Sequence, residues 1–273
     1  MPEKYIRRDG VPILVRHTGR TTLPQDPPSL GSGPAILCLH DAGLQSSVFT
    51  ELLAAAAFSE ESGIGGALAF DLPGHGRSGR LDSLPSIAEM TEMAQWVAGW
   101  CHATRPILVG HGMGALVALE WARTRGDSIA GLVLCGAGLA LGIEDETIET
   151  MRRVTRGKAP RPFDPSRVWK EGGQELMRRA YMEGIRTDPR ATLVDLEASR
   201  AWSDAFDGGS GIRCPVSIVN GQAENDACRS RAESLAGTLG SASIIEVEGA
   251  AHFLPLEKPE ALASEIRRVA EAL

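Results

Sequence analysis

Val109-Gly110-His111-Gly112-Met113-Gly114 is the stretch that decides the fold. It follows a short apolar run, Pro106-Ile107-Leu108-Val109. It precedes an amphipathic helical stretch, Ala115 to Arg125, that ends near Gly126. A buried strand, a glycine-punctuated turn and a helix form the setting of a nucleophile elbow, Gly-x-Ser-x-Gly. The flanking glycines are needed because the turn is tight and the two backbones come close. Here the central position is Gly112, so the frame is present and the expected hydroxyl is not. A dinucleotide-binding loop would need Gly-x-Gly-x-x-Gly and an acid about 20 residues on. The third glycine comes one residue early. The next strand, Ile129 to Cys135, runs into Gly136-Ala137-Gly138 with no such acid.

Working outward, Tyr5 to Arg8 and Val11 to His17 read as strands joined by Asp9-Gly10, a hairpin signal. Ala35 to Leu39, Gly66 to Phe70, Cys214 to Val219 and Ser243 to Val247 are further strand-like runs. Their continuous apolar character suits strands covered on both faces of a parallel sheet. Helices are expected over Ser47–Ser59, Ser86–His102 (Ser86 capping, Glu89 completing a capping box), Asp226–Leu239 and Pro259–Leu273. Strands alternating with helices predict an α/β fold with a mostly parallel eight-stranded sheet. From 139 to 210 the alternation stops. That stretch holds helical patterns near Glu144–Arg156, Glu171–Ile185 and Asp188–Trp202 and no buried strand. The expected organisation is a core, 1–138 and 211–273, with a helical cap, 139–210, over the carboxyl ends of the strands.

Composition bounds the function. The 273 residues are 43% hydrophobic and 23% charged, ordinary for a globular chain. A net charge of −7 argues against nucleic-acid binding, which draws on a basic face. Five scattered cysteines without a Cys-x-x-Cys pair indicate neither a zinc site nor a redox motif. Without a signal-like start or an apolar run of about 20 residues, a cytoplasmic protein off the membrane is expected. The expected partner is a small-molecule substrate, with no metal or organic cofactor, and a homodimer is left open.

The chain resembles the α/β-hydrolase superfamily over nearly its full length, within its capped esterase, enol-lactonase and carbon–carbon hydrolase group. The strongest match is Asp71-Leu72-Pro73-Gly74-His75-Gly76-Arg77-Ser78. His40-Asp41-Ala42-Gly43 is similar to the His-Gly-x-Gly oxyanion loop, with Asp41 where glycine is usual. Residues 110–114 match the elbow except at Gly112. Asn220 to Glu224 resembles the turn holding the triad acid, and Gly249 to Glu260 the segment holding the triad histidine. Haloalkane dehalogenases and epoxide hydrolases match less closely, because they place aspartate at the elbow.

The resemblance implies His252 as general base and Glu224 as its orienting acid, with Asp226 as the rival. It implies the N–H groups of Met113 and Ala42 as oxyanion donors. His40, Asp41 and His111 are expected to border the substrate. His40 and His75 read as turn-bonding groups near the site. The Asp41 carboxylate is expected to point outward and bond its own loop, since near an oxyanion it would oppose the developing charge. Gly112 admits three readings: a Ser→Gly variant of an active hydrolase, a native non-serine enzyme using His252 on water or in cofactor-free acid–base chemistry, or a ligand-binding scaffold. A serine at 112 is expected to reach His252 without disturbing the helix start. Between Met151 and Arg190, eleven Lys or Arg face five acids. That excess reads either as a mixed solvated surface or as a cationic roof for an anionic substrate.

Overall fold

The apolar runs become one eight-stranded sheet: β1 Glu3–Arg8, β2 Val11–His17, β3 Ile36–Leu39, β4 Ala67–Phe70, β5 Ile107–His111, β6 Gly131–Cys135, β7 Val216–Gly221 and β8 Ser243–Val247. The computed structural model describes residues 1–55, 63–206 and 211–273. Strand order is β1-β2-β4-β3-β5-β6-β7-β8. β1 and β2 pair antiparallel, as do β2 and β4, and every other pairing is parallel. Asp9 and Gly10 carry φ of 51° and 80°, the two positive values that a two-residue hairpin turn needs.

β3 to β7 are buried along their whole length because alternate residues point to opposite, covered faces. The edge strands β1 and β8 instead alternate between exposed or half-exposed and more buried positions, so the two-face burial expected of Ser243–Val247 does not hold. Leu37, Leu108, Leu132 and Leu134 pack with α2 (Ile87–Trp100) and α3 (Met113–Arg125). Ile36, Cys38, Ile107, Val109 and Val133 pack with α1 (Thr50–Ala55) and α9 (Pro259–Glu271). The Ser86 hydroxyl accepts the Glu89 N–H and starts α2 as expected. The helix expected over Ser47–Ser59 opens as a 3₁₀ turn, Ser46–Phe49, before α1; residues 56–59 lie outside the described residues.

The register sets the site. Leu39 pairs with Gly110 on the two central strands, so the residues just beyond, Asp41 and Gly112, leave the sheet side by side. Between β6 and β7 run α4 (Asp145–Thr155), α5 (Gly173–Ile185) and α6 (Pro189–Ala205), with α6 lying against α2 and α3. The expected cap boundary at 210 falls outside the described residues. After β7 come α7 (Asp226–Leu239) and then β8. The short α8 (Leu254–Glu257), which periodicity did not suggest, follows His252. All five cysteines are free. Among the described residues no helix is long and apolar enough to cross a membrane.

Candidate active site

The elbow forms as its glycines require. At Gly114 a Cβ would stand 2.0 Å from the Leu39 carbonyl oxygen, so only glycine lets α3 approach β3 this closely. Gly112 has φ 51° and ψ −113°, and α3 begins at the next residue. The Met113 N–H, at the helix start, has no partner within the helix and points out of it.

That N–H is occupied. Asp41 Oδ1 accepts from Met113 N at 2.8 Å and from Ala42 N at 2.7 Å. Asp41 Oδ2 lies 3.3 Å from His252 Nε2 and 3.2 Å from Arg167 Nη2. The carboxylate therefore points into the site, correcting the outward orientation expected from sequence. The cause is electrostatic: two backbone donors, an imidazole and a guanidinium converge on one spot, and a carboxylate satisfies all four. A second correction follows at Gly112. A Cβ there would meet Asp41 Oδ1 at 2.0 Å and Cγ at 2.2 Å, so a serine does not fit while Asp41 holds this position.

His252 sits after β8, its Nδ1 donating to Glu224 Oε1 at 2.7 Å. Asp226, the rival acid, is exposed and pairs with Arg229. The His252 loop is pinned from several directions. Its N–H donates to the Arg167 carbonyl, its own carbonyl accepts from His111 Nε2 at 2.9 Å, and Glu257 accepts from Ala251 and Trp169 N–H. Burial and the Arg167 guanidinium oppose charge on His252, but the hydrogen bonds to Asp41 and Glu224 outweigh both and lift its pKa above the ordinary histidine value. Burial likewise opposes ionisation of Asp41 and Glu224, yet the hydrogen bonds to His252 hold both carboxyls below the usual range, Asp41 far below. Below that raised His252 pKa the site is an imidazolium between two carboxylates.

Of the three residues expected to border the substrate, Asp41 lines the cavity, while His40 and His111 lie behind it, fully buried. His40 donates from Nδ1 to the Asp41 carbonyl and accepts the Leu72 N–H at Nε2, which fixes the loop that aims Asp41. Burial pushes the His40 and His111 rings down to about 4, so both are neutral supports. His75 does more than bond its own turn. Its Nε2 meets Asp195 Oδ2 of α6 at 2.8 Å, both side chains fully buried, and the same oxygen accepts Gly43 N–H at 2.8 Å. This pair ties the His40–Gly43 loop and the Asp71–Ser78 segment to α6.

The cavity, about 490 Å³, is bordered on one side by Asp41, Gly112, Glu224 and His252, and on the other by residues of the 139–210 stretch. Much of the basic excess there is spent outside it, where Arg152, Arg178, Arg179, Arg186 and Arg190 pair with carboxylates. Arg161 and Arg167 line the cavity, joined by Arg231 of α7. Arg161 is held by the Thr187 carbonyl and the Thr192 hydroxyl, both neutral acceptors. Among the described residues, Asp41, His111 and His252 form the grouping that could hold a metal, their donor atoms within 4.8 Å of one another. A cation there would compete with the Arg167 guanidinium already beside Asp41.

The model of the family described as "Alpha/beta hydrolase family" matches residues 36–265. A search of curated protein sequences finds no match. Among solved structures, an enol-lactonase from Burkholderia xenovorans LB400 superposes with a TM-score of 0.74 at 20% identity, over 98% of this chain and 99% of that one. An esterase from Exiguobacterium antarcticum gives 0.77 at 18% identity, over 98% and 99%. A thermophilic esterase from Thermogutta terrifontis, with malate bound, gives 0.75 at 20% identity, over 100% and 99%. At these identities the likeness carries the fold.

Proposed function

Because the chain belongs to the α/β-hydrolase family, we propose that it is a small-molecule hydrolase that works without a serine, with His252 moving protons and Glu224 orienting it. The observation that carries this reading is the exclusion between Asp41 and any side chain at 112. A serine simply lost from an active enzyme would leave its space and its N–H donors vacant. Here both are filled by a carboxylate with four partners. This packing supports Gly112 as the companion of Asp41 rather than as a serine lost from an active enzyme. A histidine held between two carboxylates at a cavity wall supports an enzyme over a scaffold that only binds.

In this reading the helices of 139–210 form the lid and choose the substrate. Ester, lactone, thioester or activated carbon–carbon bonds are the expected targets, and the esterase and enol-lactonase neighbours support that range. As the oxygen of water bonds to the substrate carbon and the leaving-group bond breaks, protonated His252 gives its proton to the leaving group. Once neutral, it takes a proton from that water. Glu224 fixes the tautomer throughout.

The test is turnover of a panel of short activated esters, lactones and epoxides by the natural chain and by His252→Ala. The expected result is slow turnover without an acyl-enzyme burst, falling by about 10²–10⁴-fold in the variant, the range for a lost general acid–base group. Turnover indifferent to His252 would reject the proposal.

A further inference from the structure

The geometry points to Asp41 as the covalent nucleophile of this site, attacking a saturated carbon such as that of an epoxide through Oδ2 and carrying the substrate as an ester. This rests on the non-serine reading above, adds the bond that forms and moves the preferred substrate from acyl compounds to epoxides.

Two departures from the elbow pattern are reciprocal. Glycine stands where a nucleophile is expected, and an acid stands where glycine is usual, on the opposite wall of the same spot. The strand register brings the two positions together, and the carboxylate fills the volume that a side chain at 112 would need. The reacting group has been kept and its attachment point moved from α3 to the β3 loop.

The two oxygens of Asp41 have different surroundings, matching the two roles such a nucleophile plays. Oδ1 is held by the Ala42 and Met113 N–H groups. Oδ2 lies beside His252 Nε2, and Asp41 borders the cavity. If Oδ2 attacks, Oδ1 becomes the carbonyl oxygen of the ester, already seated between two N–H donors. When water then attacks Cγ, negative charge develops on Oδ1, where those donors stabilise it without reorganisation. The oxyanion hole thus serves the second step.

The same occupancy selects the substrate class. Attack on an acyl carbon would create a second oxyanion in the first step, and the two preorganised donors are already taken. Displacement at a saturated carbon creates none. An epoxide suits the site further, because its oxygen needs only one proton as the ring opens.

The steps balance. A lone pair of Asp41 Oδ2 forms a bond to the epoxide carbon. The carbon–oxygen ring bond breaks, and the epoxide oxygen takes the proton of the His252 imidazolium. The product is a hydroxyalkyl ester with a neutral histidine. The loss of the Asp41 charge removes one of the interactions that raised the His252 pKa, so the ring becomes a base. His252 takes a proton from water, and the oxygen adds to Cγ. The tetrahedral species collapses and the bond from Cγ to the alkyl oxygen breaks. The departing alkoxide takes the proton from His252 to give a diol. The new carboxyl proton returns to His252. Overall, epoxide and water become diol, and one Asp41 oxygen now comes from water.

The probes are styrene oxide, 1,2-epoxyhexane, phenyl glycidyl ether and 1-bromohexane. In a single turnover of the natural chain in ¹⁸O-water, the label should appear in the Asp41 peptide by mass spectrometry and not in the first product. His252→Gln should accumulate one substrate equivalent on Asp41. Asp41→Asn, its fold checked by thermal melting, should form no adduct and lose activity by about 10⁴-fold, the scale for a removed active-site residue. Label in the first product, with none on Asp41, would overturn the inference and leave the hydrolase reading standing. So would His252-dependent ester hydrolysis with no adduct from any of the four probes. No His252-dependent turnover of either class would remove both.

Discussion

Gly112→Ser brings the Asp41 arrangement under direct mechanical stress. The new Cβ would stand 2.0 Å from Asp41 Oδ1, 2.2 Å from Cγ and 2.7 Å from Oδ2, where ordinary contact begins at 3.4 Å. The carboxylate must retreat by more than an ångström and release both backbone donors. Hydrogen bonds to a charged group contribute roughly 1.5–3 kcal/mol each, and part of that is recovered if water reaches the freed groups. A side chain at φ 51°, ψ −113° adds strain of about 1–3 kcal/mol. Together these predict a destabilisation of about 4 kcal/mol, a fall in Tm of roughly 8–16 °C for a chain of this size. The serine should gain no acyl-enzyme burst on p-nitrophenyl acetate, because displaced Asp41 crowds it and its oxyanion donors. Asp41→Gly in the same chain removes the obstruction, so the double variant should show a burst, while its Tm stays low because the Asp41 hydrogen bonds are still missing and the strain at 112 remains. Calorimetry and stopped-flow kinetics on the two single variants and the double variant read both effects. A serine variant with unchanged Tm and a full burst would refute the steric argument.

The buried His75–Asp195 pair gives a pH dependence. Burial opposes charge on His75, but Asp195 raises its pKa above the unfolded value of 6.5. The pair's contribution is therefore complete below 6.5 and is lost as pH rises through the folded value, which urea titrations between pH 5 and 9 should follow. His75→Ala leaves the Asp195 carboxylate buried and unpaired, and should cost about 3–5 kcal/mol, with α6 the first element to open by hydrogen exchange. Arg161 faces the cavity and, among the described residues, has no carboxylate partner. Inhibitors with a distal carboxylate should bind the natural chain better than matched amides, with a preference that shrinks in salt and disappears in Arg161→Gln. Equal affinities in calorimetric titration would sink that expectation.

Much of the fold was legible because each signal was local. The apolar runs, the Asp9-Gly10 turn, the glycines around 112 and the Ser86 cap each act within a few residues, and each became the expected element. The pairing of Glu224 with His252 was legible from their motifs. The orientation of Asp41 was not. It depends on Met113, His252 and Arg167, which lie 72, 211 and 126 residues away in sequence, and no local pattern reports a carboxylate's choice among partners that distant. The same holds for Asp195, whose ordinary place in the α6 pattern conceals a buried bond to His75. A signal was nevertheless present. The two departures from the motif, at 41 and 112, fall at equivalent distances past paired strands, which places the acid beside the glycine.

The most direct test of Asp41 in the nucleophile's place is the titration of His252, followed by ¹⁵N NMR of the imidazole in the natural chain and in Asp41→Asn. In the natural chain Nε2 should hold its proton above the ordinary histidine range. Asparagine keeps the shape and removes the charge, so the pKa should fall in the variant. The same pKa in both proteins would contradict the account.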